Sequence, residues 1–341
     1  MEAIDIFAGG GLCTEAIAQS GITPIAAIER EKVAAECHRE NHPTVETIVS
    51  PVEDVNFRQF DGIFLLHASP PCQNFSIARS KAIGKHADAE AGSHVLRAVK
   101  EASPVVVTIE NVRGYVGSQP WRELSKGLQE LGYIPSYDYD TPFEMAKYGV
   151  PQSRVRIFAK FIRRDRLQYF REVSYQPALI GGREGRESFY WFGLEPRRHP
   201  RNIGWLEAIA DIVRDFPKKE LPLWVRKEIE KKGIEFRDRA LLIPTVGVGT
   251  GSFSVRDQDL PTFTIRAFGG SGHWCRFKAY LPDLGIVEIP IRGLQRFMTV
   301  RDDFYLPQRK SDAGRILGNG VPVAFGKEVF SRIAEQYEGR P

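Results

Sequence analysis

Two hydrophobic rhythms alternate along the first half of the chain. Short apolar runs bounded by glycine, proline or charge read as strands, and the stretches between them repeat apolar residues every three to four positions, as helices do. "AIDIF" is a strand, "LCTEAIAQS" a helix stopped by Gly21, and "TPIAAIE" a second strand. Helix "EKVAAECHREN" and strands "TVETIV" and "GIFLLHA" follow, then a helix around "HVLRAVKEA", strand "PVVVTIEN" and helix "WRELSKGLQEL", ended by Gly132. This alternation predicts an α/β fold, a doubly wound parallel sheet covered by helices. Ligands of such sheets lie outside the carboxyl ends of the strands, and the glycine loop, Glu29, Cys72 and Glu110 all fall at such ends.

Past "RVRIFAKF" the alternation fades into an irregular region rich in Arg, Gly, Pro and aromatics. It carries one clear helix, "IGWLEAIADIVRDF", and a charged one, "WVRKEIEKKG". The change of texture predicts a smaller domain over residues 165–255, set into a larger one made of 1–164 and 256–341. Order returns near "LPTFTIRAFGG", followed by helical "RGLQRFM" and the closing "GNGVPVAFGKEVFSRIAEQY".

Composition sharpens this picture. With 341 residues and 42% hydrophobic content the chain can build a large core. Its cysteines, Cys13, Cys37, Cys72 and Cys275, lie far apart without a C-x-x-C pair. That fits neither a disulfide framework nor a zinc site, so no metal is expected and a reducing cytoplasm is the natural compartment. The opening "MEAIDIF" runs straight into a strand, leaving no room for a leader, and no apolar run is long enough to span a bilayer, so no membrane partner is expected. The net charge of +4 is unevenly placed: 18 Lys and Arg face 13 Asp and Glu between Arg163 and Ala240. A polyanion would be met there, with Arg197 and Arg198 among its contacts.

Chemistry enters through short segments. "DIFAGGGLCTEA" is a strand, a glycine turn and a helix start, which offers backbone N–H groups and close approach to a ligand. Glu29 ends the second strand, where a carboxylate accepts from ribose hydroxyls. In "ASPPCQNFS", Pro70 and Pro71 have no N–H to donate, so the loop beyond the strand projects the Cys72 thiol towards a cleft. "TIENV" sets Glu110 where a carboxylic acid can bond a ring nitrogen and an exocyclic amine together. "YGVPQSRVRIF" alternates Arg154 and Arg156 on a strand, turning both guanidinium groups to one side.

These segments together resemble the DNA (cytosine-5) methyltransferases of bacterial or phage type. The resemblance rests on "DIFAGGG", "PPCQNFS", "ENV", "QSRVR", "IRGLQRFMTVRDDFYLP" and "GNGVPV", in the family's order, and spans nearly all the chain outside 165–255. It implies a Rossmann-like S-adenosylmethionine-dependent methyltransferase domain with a smaller, irregular target-recognition domain. It makes Cys72 the nucleophile, Glu110 the acid at the cytosine edge, and Arg156, with Arg154 beside it, the contact to the carbonyl. Phe7, Ala8, Gly9, Gly11, Glu29, Arg30, Pro71 and Asn319 become cofactor-pocket residues. Gln73, Ser76, Arg79 and Gln152 join Arg197 and Arg198 as contacts to DNA. The implied partners are double-stranded DNA and a cognate restriction endonuclease, for a monomer associated with the nucleoid. The chain departs from the family at Leu12, Arg30, Ser50 or Pro51, and Gly293, the first three in the cofactor motifs.

The chemistry agrees with this resemblance. A thiolate adding at carbon 6 turns cytosine into an enamine that attacks a methyl sulfonium, a protonated Glu110 draws electrons towards the ring nitrogen, and a base then removes the carbon 5 proton. A duplex hides carbon 6 in its stack, so the base must be flipped out. The nearest rival is a tRNA cytosine methyltransferase on the same core. An NAD-dependent dehydrogenase would use the glycine loop and Glu29 but leave Cys72, Glu110 and the arginines idle, and a catalytically silent DNA-binding protein would need neither nucleophile nor acid.

Overall fold

The structure is a computed structural model that describes residues 1–71, 86–136, 138–176, 189–245, 253–267 and 277–339. Its internal packing divides the chain into two compact units, Met1–Phe143 with Val155–Arg197 and Gly326–Pro341, and Glu144–Arg154 with Arg198–Phe325.

The first unit is built on an eight-stranded sheet. Strands β1 (Glu2–Ile6), β2 (Thr23–Ile28), β3 (Glu46–Ile48), β4 (Leu65–Ala68) and β5 (Val106–Val112) run parallel in the order 3-2-1-4-5. The short β6 (Tyr133–Pro135) and β7 (Pro142–Glu144) follow, and β8 (Val155–Arg163) lies antiparallel between β5 and β6, with β7 paired to it. Parallel neighbours require crossovers, and helices α1 (Leu12–Ala18), α2 (Lys32–Asn41), α3 (His86–Ala102) and α4 (Gln119–Glu130) lie in them or follow the strands. Ile6, Leu66, Val107, Ile109 and Phe161 of the sheet bury against Val95 and Val99 of α3 and Trp121, Leu124 and Leu128 of α4 in one core. Local signals set the ends of α4. The Ser118 hydroxyl accepts from the Trp121 N–H at 3.2 Å, Pro120 occupies the first turn, and Gly132 leaves the helix at φ +87°. The strand order reverses direction between β1 and β4, which opens a crevice at their carboxyl ends. A hairpin of β9 (Ser174–Gln176) and β10 (Phe189–Trp191) completes this unit's strands among the described residues.

In the second unit, helix α5 (Leu223–Lys231) buries Val225 and Ile229 with Leu221, Ile243 and Phe253. Its antiparallel sheet runs β12-β11-β13-β14, from β11 (Leu241–Pro244), β12 (Arg256–Asp257), β13 (Phe277–Leu281) and β14 (Gly285–Glu288). Helices α6 (Ile291–Phe297) and α7 (Lys310–Asn319) follow, and α8 (Val323–Gln336) closes the fold.

The two compact units cut the chain at other points than the segment 165–255 expected to read the target. Residues 165–197 pack with the first unit, where Phe170 bridges to Tyr337 and Arg332 donates to the carbonyls of Gly193 and Glu195. Residues 256–325 pack with the second, whose sheet β12, β13 and β14 complete. The expected helix over 203–216 is instead a pair of single 3₁₀ turns, Glu207–Ile209 and Val213–Asp215. Its apolar periodicity is real, since Trp205, Ile209, Ile212, Val213 and Phe216 are all buried. The chain nevertheless bonds outward: Trp205 N–H donates to the Leu260 carbonyl at 2.9 Å, and its indole to that of Arg256 at 3.3 Å. Gly204 lies so close to Gln258 that a Cβ would stand 2.4 Å from its carbonyl oxygen. Pairing with 256–260 takes the backbone groups a helix would have used.

Candidate active site

The loop after β1 carries its strain openly. Phe7 sits at φ +60°, a left-handed conformation that costs a non-glycine residue about 1–2 kcal/mol, and Gly9 and Gly11 sit at φ +56° and +92°. Ala8 N–H donates to the Ile28 carbonyl at 3.1 Å, which ties the loop to the end of β2. The Glu29 carboxylate accepts from Gly9 N–H at 2.9 Å and from Glu31 N–H at 2.8 Å, so it bridges the two loops, while Arg30 is exposed beside it.

Helix α2 braces the loop from below. His42 Nε2 meets the Gly11 carbonyl at 3.0 Å, and the Cys37 thiol donates to the Gly10 carbonyl at 3.7 Å. His38 bridges Thr14 Oγ1 (3.0 Å) and Thr47 Oγ1 (2.9 Å), and Thr14 donates to Asp5 Oδ2 at 2.8 Å. Burial keeps His38 neutral, its pKa lowered to about 3, and pushes the Asp5 carboxyl up to about 7 and the Cys37 thiol up to about 12. Cys13 and Cys37 are both buried, and a thiol so held is inert.

At the exits of β4 and β5 a second group converges. Ser69 N–H still reaches the Ile6 carbonyl at 3.3 Å, after which Pro70 and Pro71 can donate nothing to the ladder. Asn111 Nδ2 donates to the Pro70 carbonyl at 3.1 Å and holds that turn against β5. Glu110 is 6% exposed and lies 3.1 Å from Arg156 Nε, so a buried carboxylate faces a half-buried guanidinium. Cys72, Gln73, Ser76, Arg79 and Cys275 lie outside the described residues.

Other expected site residues lie elsewhere. Arg154 does not turn to one side with Arg156. It precedes β8, is fully buried, and donates to the carbonyls of Ile265, Gly318 and Gly320 at 2.8, 2.9 and 2.8 Å. A guanidinium offers five donors in a rigid fork, and here they hold the C-terminal end of α7, where Asn319 is exposed. Gln152 is also fully buried, bonded to the Phe297 carbonyl, the Met298 sulfur and Ile265 N–H, so its amide is not free to meet DNA. Arg197 pairs with Glu335, Arg201 with Glu207, Arg214 with Asp283 and Arg226 with Glu220, which internally offsets part of the basic excess; Arg198 is exposed.

A strained glycine loop at the switch point, a carboxylate following β2, and a carboxylate–guanidinium pair beside Pro70 and Pro71 lie at the carboxyl ends of the parallel strands. The profile of the family described as C-5 cytosine-specific DNA methylase matches residues 1–241. The chain belongs to this family. It is a DNA cytosine-5 methyltransferase, and its methyl donor is S-adenosylmethionine. The Type II methyltransferase M.PspPI of Psychrobacter sp. is 31% identical over 97% of this chain and 79% of its own length. M.MthTI of Methanothermobacter thermautotrophicus is 23% identical over 99% and 98%. In fold, the methyltransferase resembles a DNA modification methyltransferase from an E. coli prophage (TM-score 0.62, 18% identity, 98% of this chain and 99% of that one). It also resembles the S. pombe Dnmt2 methyltransferase (TM-score 0.59, 17% identity, 98% of each chain).

The glycine loop of this methyltransferase leaves room on one side for a ligand. Among the described residues a Cβ on Gly9 would meet nothing within 4 Å, whereas one on Gly11 would strike His42. The loop's upper side is thus clear for a ligand and its lower side is braced. Phe7, Ala8, Gly9, Gly11 and Glu29 are the residues that would hold the cofactor there, and once bound it supplies an electrophilic methyl group. Among the described residues no cluster of His, Cys, Asp and Glu is arranged for a metal ion, and no helix is long and apolar enough to cross a membrane.

Proposed function

We propose that this enzyme methylates carbon 5 of a cytosine flipped out of a specific duplex DNA sequence, through a covalent adduct between Cys72 and carbon 6. One observation carries the reading: the turn leading into Cys72 is held by Asn111, whose neighbour Glu110 is buried against Arg156. The Cys72 thiolate adds to carbon 6 and displaces the ring's π electrons towards carbon 5 and the ring nitrogen, where Glu110 supplies a proton or strong hydrogen bond. Arg156 steadies Glu110 and reaches the base carbonyl. Carbon 5 takes the methyl group as the S–CH3 bond breaks and S-adenosylhomocysteine leaves, the ring nitrogen returns its proton to Glu110, a base removes the carbon 5 hydrogen as a proton, and the returning electron pair restores the ring double bond and expels the thiolate.

Pro71 and Arg30 join the loop residues around the cofactor in this reading. Residues 165–255 read the target, with Gln73, Ser76, Arg79 and Arg198 near the backbone or the vacated base position. The named relatives are Type II methyltransferases, which supports a place in a restriction-modification system with a cognate endonuclease, for an enzyme acting as a monomer at the nucleoid. Bisulfite sequencing of DNA from a host expressing the enzyme should show one methylated sequence. A duplex with 5-fluorocytosine at that site should trap a denaturation-resistant adduct that Cys72→Ala cannot form. Methylation of a tRNA transcript but not of duplex DNA, or an adduct formed equally by Cys72→Ala, would overturn the reading.

A further inference from the structure

Between the two strands that lead to the reacting groups lies a histidine that the mechanism leaves unused. His67 is fully buried in β4, register partner of Thr108 in β5. Its Nδ1 lies 2.8 Å from Thr108 Oγ1 and its Nε2 3.1 Å from Ser69 Oγ. The ring stacks on Phe158 at 5.3 Å and 13°, and Phe330 meets it edge-on at 5.3 Å, so it has little freedom to turn. A neutral imidazole has one donor and one acceptor, and a hydroxyl can serve as either, so both contacts are satisfied without a charge.

We infer that His67 is a positioning residue for methyl transfer: it locks Ser69, at the exit of β4, to Thr108, which shares a face of β5 with Glu110. The inference rests on the roles proposed above for Cys72 and Glu110. Residues two apart on a strand point the same way, so Thr108 and Glu110 lie on one face and Asn111 on the other. The Pro70–Pro71 turn is therefore restrained twice from β5, by Asn111 on the Pro70 carbonyl and by Thr108 through His67 on Ser69. A histidine that only filled the core would need no partner beyond the strand, yet this one reaches half-buried Ser69, past Ala68, the last residue of β4. Desolvation lowers its pKa to about 3, so the bridge keeps one protonation state throughout the neutral range.

Single-turnover methyl transfer and adduct formation on 5-fluorocytosine duplex would test this. Ser69→Ala removes one hydroxyl at the edge of the fold. It should slow both steps about tenfold, as for a small misplacement of a reacting group, and leave cofactor affinity and KM for DNA within about twofold, with a fall of a few degrees in melting temperature because His67 Nε2 loses its partner. Thr108→Val should show the same loss of rate, and Thr108→Ser, which restores the hydroxyl, should recover most of it. Combining Ser69→Ala with Thr108→Val should cost little more than either alone, because both break one bridge. Wild-type rates in Ser69→Ala, or a loss confined to KM or stability, would overturn the inference. A Cys72→Ala variant run alongside separates the two claims: if it still transfers methyl groups the proposed mechanism fails, and if it is dead while Ser69→Ala is normal only the positioning role fails.

Discussion

Gly11→Ala isolates the demand that the cofactor loop makes on its glycines. Gly11 has φ +92° and ψ 16°, where an L-residue sets Cβ against its own backbone at a cost of about 1–2 kcal/mol. The added Cβ would also stand 2.7 Å from His42 Nε2 and 2.8 Å from its Cδ2, closer than any stable contact, and a tight 3.0 Å from His38 Cδ2. Moving His42 aside would break its 3.0 Å bond to the Gly11 carbonyl and forfeit about 1 kcal/mol more. Together these give about 2–3 kcal/mol, so a free protein whose loop relaxes must repay it on binding, and affinity for S-adenosylmethionine should fall about 30- to 150-fold. Isothermal titration with S-adenosylhomocysteine, alongside thermal melting, measures both parts. In a His42→Ala background, where that bond is already lost and the clash is gone, Gly11→Ala should cost only the backbone share of about 1–2 kcal/mol. A Gly11→Ala variant that binds within threefold of wild type and melts unchanged would refute the argument.

Glu110→Gln should lower the methyl-transfer rate by about 10²-fold, as for loss of a positioned acid, without weakening cofactor binding, and near-normal turnover would remove Glu110 from the mechanism. Arg154→Met leaves three carbonyls, two of them buried, without their charged donor and should destabilise the second unit by about 3 kcal/mol or more, read by urea unfolding. A loss below about 1 kcal/mol would show that water replaces the guanidinium. Burial holds the Asp5 carboxyl at about 7 against 3.8 in a free chain, with the Thr14 hydroxyl opposing the shift and Glu29 adding to it. The folded protein therefore keeps a proton that the unfolded chain releases, and Asp5's contribution to stability is lost as pH rises from about 4 to 7. Measured by unfolding at pH 5 and pH 8, wild type should lose ground to Asp5→Asn across that interval, and parallel behaviour of the two would count against it.

Where backbone pattern alone decides, the sequence was sufficient. Strands β1, β2, β4 and β5, helices α1 to α4, the glycine turn and the cleft at the carboxyl ends follow from period, caps and punctuation, because each depends on residues close in the chain. The Glu110 carboxylate and the Pro-Pro turn were legible for the same reason, since each ends a strand that the pattern locates. Tertiary structure alone decided what the polar side chains do. Arg154 and Arg156 have the same spacing and chemistry, yet one braces three carbonyls and the other faces Glu110, because Arg154 lies before β8 begins. Residues 203–216 have a helix's apolar period but spend backbone bonds on residues 256–260, which no local signal announces. His67 reads as one polar residue in an apolar strand until Thr108, 41 positions later, is brought beside it. A hydrogen bond depends on where two groups meet in space, and for partners so far apart in sequence only the folded chain fixes that place.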